Sequence, residues 1–148
     1  LKFKKFFKSE FICLHLRRGD YISNKKTSRY HGNLTNKYYI NSVNFIRSKF
    51  KNLPVLIFTD DPKWAENNLQ PYINNSHLIS SEFQNAEIDF LLMTKAKYFI
   101  ISNSTFSWWT AFLSTKKNKF IIIPRKWFSK GEINSNLIYR NWSYKIME

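Results

Sequence analysis

Short apolar runs alternate with stretches of helical periodicity along most of the chain. Five runs have the length and the β-branched or aromatic content of buried strands: residues 11–16, 54–59, 77–80, 97–102 and 119–124. The stretch after the first run predicts a helix, because apolar residues recur there at spacings of four, three and four: Tyr39, Val43, Ile46 and Phe50. Thr35 or Asn36 can cap this helix.

Three further helices follow from the pattern. Residues 62–69 form a short one with Pro62 in its first turn. Residues 86–96, "AEIDFLLMTKA", form another, with four residues at helical spacing: Ile88, Leu91, Leu92 and Lys95. Residues 104–117, "STFSWWTAFLSTKK", open with hydroxyl residues suited to capping. The tail from residue 126 to 148 has no clear period.

The alternation of strands and helices predicts an α/β fold, a Rossmann-like parallel sheet with helices on both faces. We find no internal repeat and no linker, so residues 1–148 are predicted to form a single domain. In such a fold, ligands bind outside the carboxyl ends of the strands. Four groups of residues should therefore meet at one edge of the sheet: 15–20, 59–61, 102–105 and 124–127.

The first of these groups carries two adjacent arginines, Arg17 and Arg18, followed by Gly19. A guanidinium binds phosphate oxygens through two parallel hydrogen bonds and stays charged at any working pH. Arg17 is the better candidate because it directly follows the strand, which fixes its direction. The alternative is that Arg17 pairs structurally with Asp20 or Asp60.

The other strand ends add hydroxyls and carboxylates. Ser104 and Thr105 begin a helix, where free N–H groups and the helix dipole favour an anion, although ordinary capping would also explain them. Asp60 and Asp61 suit a metal ion or a general base, or equally a turn and a helix cap. Asp89 lies in an apolar helical stretch and needs a partner if buried, either a lysine or the N–H groups of a ligand.

Composition narrows the possible partners. The chain has 24 Lys and Arg against 10 Asp and Glu, a net charge of +14, which favours nucleic acid, an acidic membrane surface or a phosphorylated ligand, or is simply a solvated basic surface. A single cysteine, Cys13, excludes an internal disulfide, and the scattered histidines, His15, His31 and His77, do not suggest zinc. We expect a cytoplasmic protein with peripheral contact to the inner face of a membrane.

Three motifs, "HLRRGDY", "FTDD" and "SNSTFSWWTAFL", followed by "IIIPRKWF", resemble in their order those of the inverting α-1,2-fucosyltransferases of glycosyltransferase family 11. The third motif is long and rich in tryptophan, so it is specific. The resemblance covers the chain from about residue 11 to the tail.

The resemblance implies the C-terminal half of a GT-B fold, which binds the donor GDP-fucose, with the N-terminal half on the acceptor side absent from this sequence. It implies that Arg17 is catalytic and holds the β-phosphate, and that the base or phosphates are contacted by His15, Arg18, Asp89, Ser104 and Thr105. Three acids belong to the motifs without an assigned role: Asp20, Asp60 and Asp61.

The implied reaction transfers L-fucose to the 2-hydroxyl of a terminal galactose with inversion, with no cofactor and no essential metal, because Arg17 offsets the charge on the leaving diphosphate. Two other functions stay open on sequence alone. A basic nucleic-acid-binding module would use the net charge and the interspersed aromatic residues, although only two of the 24 basic residues cluster at the strand ends. A truncated remnant would fold without catalysing transfer.

Overall fold

The computed structural model describes residues 8–19, 34–80, 85–129 and 135–148. Within these ranges six strands form one sheet: β1 (Ile12–Leu16), β2 (Val55–Thr59), β3 (Ser76–Leu78), β4 (Tyr98–Ile100), β5 (Phe120–Pro124) and β6 (Ser143–Met147). Every neighbouring pair is parallel, in the order β3-β2-β1-β4-β5-β6. This is the strand order of Rossmann folds, so the predicted α/β architecture is confirmed.

Among the described residues, four helices cover the two faces of the sheet: α1 (Asn36–Lys49), α2 (Pro62–Asn68), α3 (Ala86–Met93) and α4 (Thr105–Leu113). Two 3₁₀ turns, Gln70–Tyr72 and Ser135–Leu137, complete the described elements. Side chains from alternate strand positions pack with α1 and α2 in one core cluster and with α3 and α4 in another. The sheet is therefore buried on both sides, which explains its continuous apolar strands.

Helix α1 begins and packs as the pattern predicts. Thr35 caps α1, since its hydroxyl accepts a hydrogen bond from the Tyr38 amide. Tyr39, Val43 and Ile46 are buried against the sheet, whereas Phe50 falls at the end of the helix and is partly exposed. The Tyr38 hydroxyl also donates to the Ile101 carbonyl at 2.6 Å, which ties α1 to the end of β4.

The predicted helix is present as α3, but the four residues at helical spacing do not all lie on its buried face. Of these, Leu92 packs against the core cluster. Ile88 and Leu91 are exposed, Leu91 to 63%, while Asp89 and Met93 are buried. The helix is apolar nearly all round, so periodicity alone does not identify the side that faces the sheet. As a result, the carboxyl group of Asp89 points into the protein and not to a surface lysine.

The sequence also missed β6, in the tail that has no clear period. This strand pairs with β5 at the edge of the sheet, and its first three residues are exposed. An exposed edge strand needs no alternating apolar pattern, which is why the sequence did not reveal it. No helix in the described ranges is long and apolar enough to cross a membrane.

Candidate functional site

The strand order places β1 and β4 side by side although the chain leaves β1 toward β2 and β3. Connections on the two sides of this point diverge and leave a crevice at the carboxyl ends of the strands. A pocket of about 420 Å³ opens at this edge of the sheet. Its lining comes from the ends of β1, β2 and β3 and the starts of α2, α3 and α4: His15, Arg17, Thr59, Asp60, Pro62, Ser80, Asn85, Ala86, Asp89 and Phe106.

His15 links β1 to β4 at the base of the pocket. Its Nδ1 lies 2.7 Å from Ser102 Oγ, and its ring stacks on Phe106 with 5.4 Å between the ring centres. Burial, and then the positive charge of Arg17, lower the pKa of His15 to about 3. The imidazole is therefore neutral at physiological pH, where it is suited to hydrogen bonding and stacking and not to carrying charge.

The turn after β1 is organised by Asp60. Its two carboxylate oxygens accept hydrogen bonds from the Arg18 and Gly19 amides, at 2.8 and 3.0 Å. One of these oxygens also lies 3.1 Å from the Arg17 guanidinium. A Cβ on residue 19 would come within 2.8 Å of Asp60 Oδ2, so glycine is what allows the carboxylate to approach the backbone. The pairing of Arg17 with Asp60, which the sequence left open, is present.

The two arginines lie in different surroundings. Arg17 lines the pocket, whereas the guanidinium of Arg18 stacks 3.5 Å from the ring centre of Trp64. Arg18 Nε also lies 3.6 Å from Asp61, and Asp61 caps α2 by accepting from the Trp64 amide. Arg18 is therefore placed to hold the loop against α2. The role of Arg17 at the phosphate and that of Arg18 stay predictions.

Asp89 presents an unpaired oxygen in the pocket. The residue is only 7% exposed, and its Oδ2 accepts a hydrogen bond from the Ser80 hydroxyl. Its Oδ1 has no hydrogen-bond partner among the described residues. Burial, partly opposed by the Ser80 hydrogen bond, raises the pKa of Asp89 to about 6. A buried acceptor without a partner is costly, and the N–H group of a ligand would satisfy it.

The start of α4 contributes less than predicted. Ser104 is buried at the N-cap position, but its hydroxyl does not cap the helix, and Thr105 is exposed. Neither residue lines the pocket, whereas Phe106 does. Their contact with phosphate stays a prediction, as does the role of Asp20, which lies outside the described residues.

Five residues that line the pocket were not predicted as site residues from the sequence: Pro62, Ser80, Asn85, Ala86 and Phe106. Ser80 lies two residues beyond β3, at the end of the third apolar run, and Phe106 lies inside the tryptophan-rich motif. A polar residue at the end of an apolar run was a usable indication for Ser80. Phe106 had none, because a phenylalanine among tryptophans is more simply explained as core. Within the described ranges, no three His, Cys, Asp or Glu side chains are placed to hold a metal ion.

Comparison with known proteins agrees with the motifs. The sequence model of the family described as Glycosyl transferase family 11 matches residues 4–146. The "O-antigen biosynthesis glycosyltransferase WbnK" of Escherichia coli is 42% identical over 129 residues, covering 87% of this chain and 42% of that protein. An "Alpha-1,2-colitosyltransferase" of Escherichia coli is 38% identical over 125 residues, covering 84% of this chain and 43% of that protein.

A more distant relative extends the comparison to animals. A "Galactoside 2-alpha-L-fucosyltransferase" of Caenorhabditis elegans is 25% identical over 118 residues, which is 72% of this chain and 30% of that protein. The chain thus spans less than half the length of the curated relatives it matches. The match to the family nevertheless covers nearly every residue of the chain, including the pocket at the carboxyl ends of the strands. The chain belongs to glycosyl transferase family 11.

Proposed function

We propose that this chain is the donor-binding half of a GT-B glycosyltransferase, which transfers L-fucose from GDP-fucose to the 2-hydroxyl of a terminal galactose. The observation that carries the proposal is that one pocket contains both the buried free oxygen of Asp89 and the guanidinium of Arg17. An ionised carboxylate accepts from N1–H and N2–H of guanine and repels the N1 acceptor of adenine. A guanidinium matches the phosphates.

Transfer proceeds by attack of the acceptor hydroxyl on the anomeric carbon of fucose while the hydroxyl proton passes to a general base and GDP leaves from the opposite face. The carbon–oxygen bond to the β-phosphate breaks, and negative charge develops on that phosphate. Arg17, oriented by its contact with Asp60, stabilises this charge. Asp60 and Asp61 are engaged with the loop and α2, so we do not place the general base on either of them.

A fixed guanidinium supplies the charge that a divalent metal would otherwise provide. We therefore propose that neither donor binding nor transfer requires a metal ion, so that both persist in excess EDTA. Loss of GDP binding in EDTA, restored by Mg²⁺ or Mn²⁺, would contradict this part of the proposal.

The relatives support two donors. Animal relatives carry fucosyltransferase names, whereas one bacterial relative at 38% identity is named as a colitosyltransferase. Colitose is fucose without the 3-hydroxyl, so the two donors share the guanine, the diphosphate and the bond that breaks at the anomeric carbon. The second candidate function is therefore transfer of colitose. Titration with both GDP-sugars separates the two candidates, because a site built for the 3-hydroxyl binds the deoxy sugar more weakly.

Calorimetric titration of the 148-residue chain tests nucleotide recognition. We expect GDP and GDP-fucose to bind and ADP to bind at least about 10-fold more weakly, since the wrong base leaves buried Asp89 unsatisfied. Single-stranded DNA is the control for binding through net charge, and its affinity would fall steeply with salt. Equal affinity for GDP and ADP would refute the proposed site, and tight, salt-sensitive DNA binding would favour the nucleic-acid alternative.

A further inference from the structure

Ser80 connects the end of β2 to α3 through a single hydroxyl group. Its Oγ accepts a hydrogen bond from the Thr59 amide at 2.9 Å and donates to Asp89 Oδ2. The side chain is almost fully buried and lines the pocket. The Thr59 amide, the Ser80 hydroxyl and the Asp89 carboxylate therefore form one hydrogen-bond network, which ends at the carboxylate.

The donor-to-acceptor direction of these hydrogen bonds is fixed. An amide N–H can only donate, so it occupies a lone pair of Ser80 Oγ, and the one hydroxyl proton is left to point at Asp89. Hydrogen bonds arranged head to tail polarise one another and support negative charge at the accepting end. Ser80 therefore opposes the effect of burial, which by itself favours the protonated acid.

We propose that Ser80 is a positioning residue for base recognition, which keeps Asp89 ionised and holds its Oδ2 so that Oδ1 faces the nucleotide. The inference rests on the proposed function, because it concerns how the same pocket selects guanine. Nothing in the motifs that resemble the family assigns a role to this serine. It acts through Asp89 and does not itself need to touch the reacting atoms.

Other titratable or charged groups on the segments around Asp89 bear on its ionisation. Arg17 and His15 lie at the end of β1, Asp60 at the end of β2 and Glu87 on α3 itself. His15 is neutral because its pKa is about 3, and burial raises the pKa of Cys13, behind the pocket, well above its usual value. Because Asp60 and Glu87 also carry carboxyl groups, the test must compare variants with and without Asp89.

The test is Ser80→Ala, with GDP affinity measured by calorimetry from pH 5 to pH 8. In the unsubstituted protein, affinity should fall as pH drops through about 6, when Asp89 becomes protonated. Loss of the hydrogen bond from Ser80 to this carboxylate should raise the midpoint of the pH dependence of GDP affinity by about one pH unit. GDP affinity at pH 6 should therefore fall roughly 5-fold more than at pH 8, and the preference for GDP over inosine diphosphate, which lacks the 2-amino group, should narrow.

Three further variants make the result specific. Ser114→Ala removes an equally buried serine that donates to the Ala96 carbonyl away from the pocket, and it should leave the midpoint unchanged. In an Asp89→Asn background, Ser80→Ala should cause no shift of the midpoint. If Ser80→Ala does not fold, Ser80→Cys keeps the shape with a weak donor and should shift the midpoint in the same direction.

The two proposals fail in different ways. An unchanged midpoint and unchanged base preference in a folded Ser80 variant that still binds GDP would overturn the role of Ser80 alone. A shift that persists when Asp89 is already Asn would also overturn it, because Ser80 would then act through another group. Failure of the unsubstituted protein to prefer GDP over ADP would instead refute the proposed function.

Discussion

Adjacent arginines with the same charge are expected to differ in function because they contact different groups. Arg17 lines the pocket and pairs with Asp60, whereas Arg18 stacks on Trp64 and lies near Asp61. Residue type and position identified both as candidates. Their division of roles depends on Trp64, a contact that no local pattern in the sequence reveals.

Arg17→Lys should weaken transfer by roughly 2–3 kcal/mol, the scale of losing one donor to a developing anion, because lysine keeps the charge but not the bidentate geometry. Arg18→Lys should instead destabilise the fold by about 1 kcal/mol through loss of stacking on Trp64. The effect on transfer is measured as kcat/KM for GDP-fucose in a chimera that joins this chain to the remainder of a full-length relative, and the melting temperature of each variant measures stability. A larger loss of kcat/KM in the Arg18 variant would reverse the assignment.

The ionised carboxylate of Asp89 should lower the stability of the ligand-free protein while it favours ligand binding. Its pKa rises from 3.8 to about 6 on folding, so the folded state prefers the protonated acid. The contribution of Asp89 to stability is therefore fully present below pH 3.8 and is lost as pH rises through 6.

Compared with the unsubstituted protein, Asp89→Asn should therefore have a higher free energy of unfolding at pH 7.5, and this gain should be roughly 1–3 kcal/mol larger than at pH 4. The same substitution should weaken GDP binding. Denaturant melts of both proteins at the two pH values provide the measurement. A variant that is equally destabilised at both pH values would show that Asp89 is a structural residue, already satisfied in the absence of ligand.

At the scale of elements, the sequence predicted five of the six strands and all four helices of the described residues. The buried strands were visible because parallel strands covered on both faces are continuously apolar. Periodicity did not reveal the orientation of α3, because apolar residues surround this helix. It therefore did not reveal that Asp89 faces inward. A lone carboxylate in an apolar helical stretch made Asp89 a candidate, and only packing placed it in the pocket.

Helix α4 offers an element whose end can be tested apart from the pocket. The Lys119 ammonium donates to three carbonyls at its C-terminus, those of Ala111, Phe112 and Ser114, at 2.8, 3.2 and 2.7 Å. These groups would otherwise be unsatisfied, and the positive charge complements the helix dipole.

Lys119→Met should lower the free energy of unfolding by roughly 1–2 kcal/mol and leave GDP affinity unchanged. Lys117→Met, at a neighbouring exposed lysine, is the matched control and should change stability by no more than about 0.5 kcal/mol. Thermal melts and one calorimetric titration decide the matter. If GDP affinity falls together with stability, the end of α4 is coupled to the pocket.

For the whole molecule, net charge bears on where the chain is located, and length bears on whether it can catalyse transfer. A charge of +14 would attract the chain to an anionic membrane surface, and both that contact and the cytoplasmic location stay predictions from composition. Length bears on catalysis directly. The chain covers 42% and 43% of its two Escherichia coli relatives, so the parts of those proteins outside the match have no counterpart in it.

Transfer therefore needs more than the residues of this pocket. Arg17 can stabilise the leaving diphosphate, but attack also requires the acceptor hydroxyl to be held in line with the anomeric carbon, and such positioning accounts for much of a rate enhancement. We expect the 148-residue chain to bind GDP but to transfer no measurable fucose to lactose. A chimera in which it replaces the matching segment of the Escherichia coli O-antigen glycosyltransferase relative should transfer, and Arg17→Lys in that chimera should abolish most of the activity. Measurable transfer by the isolated chain would show that it contains a complete acceptor site, whereas an inactive chimera that binds GDP would indicate a domain that binds the donor without catalysing its transfer.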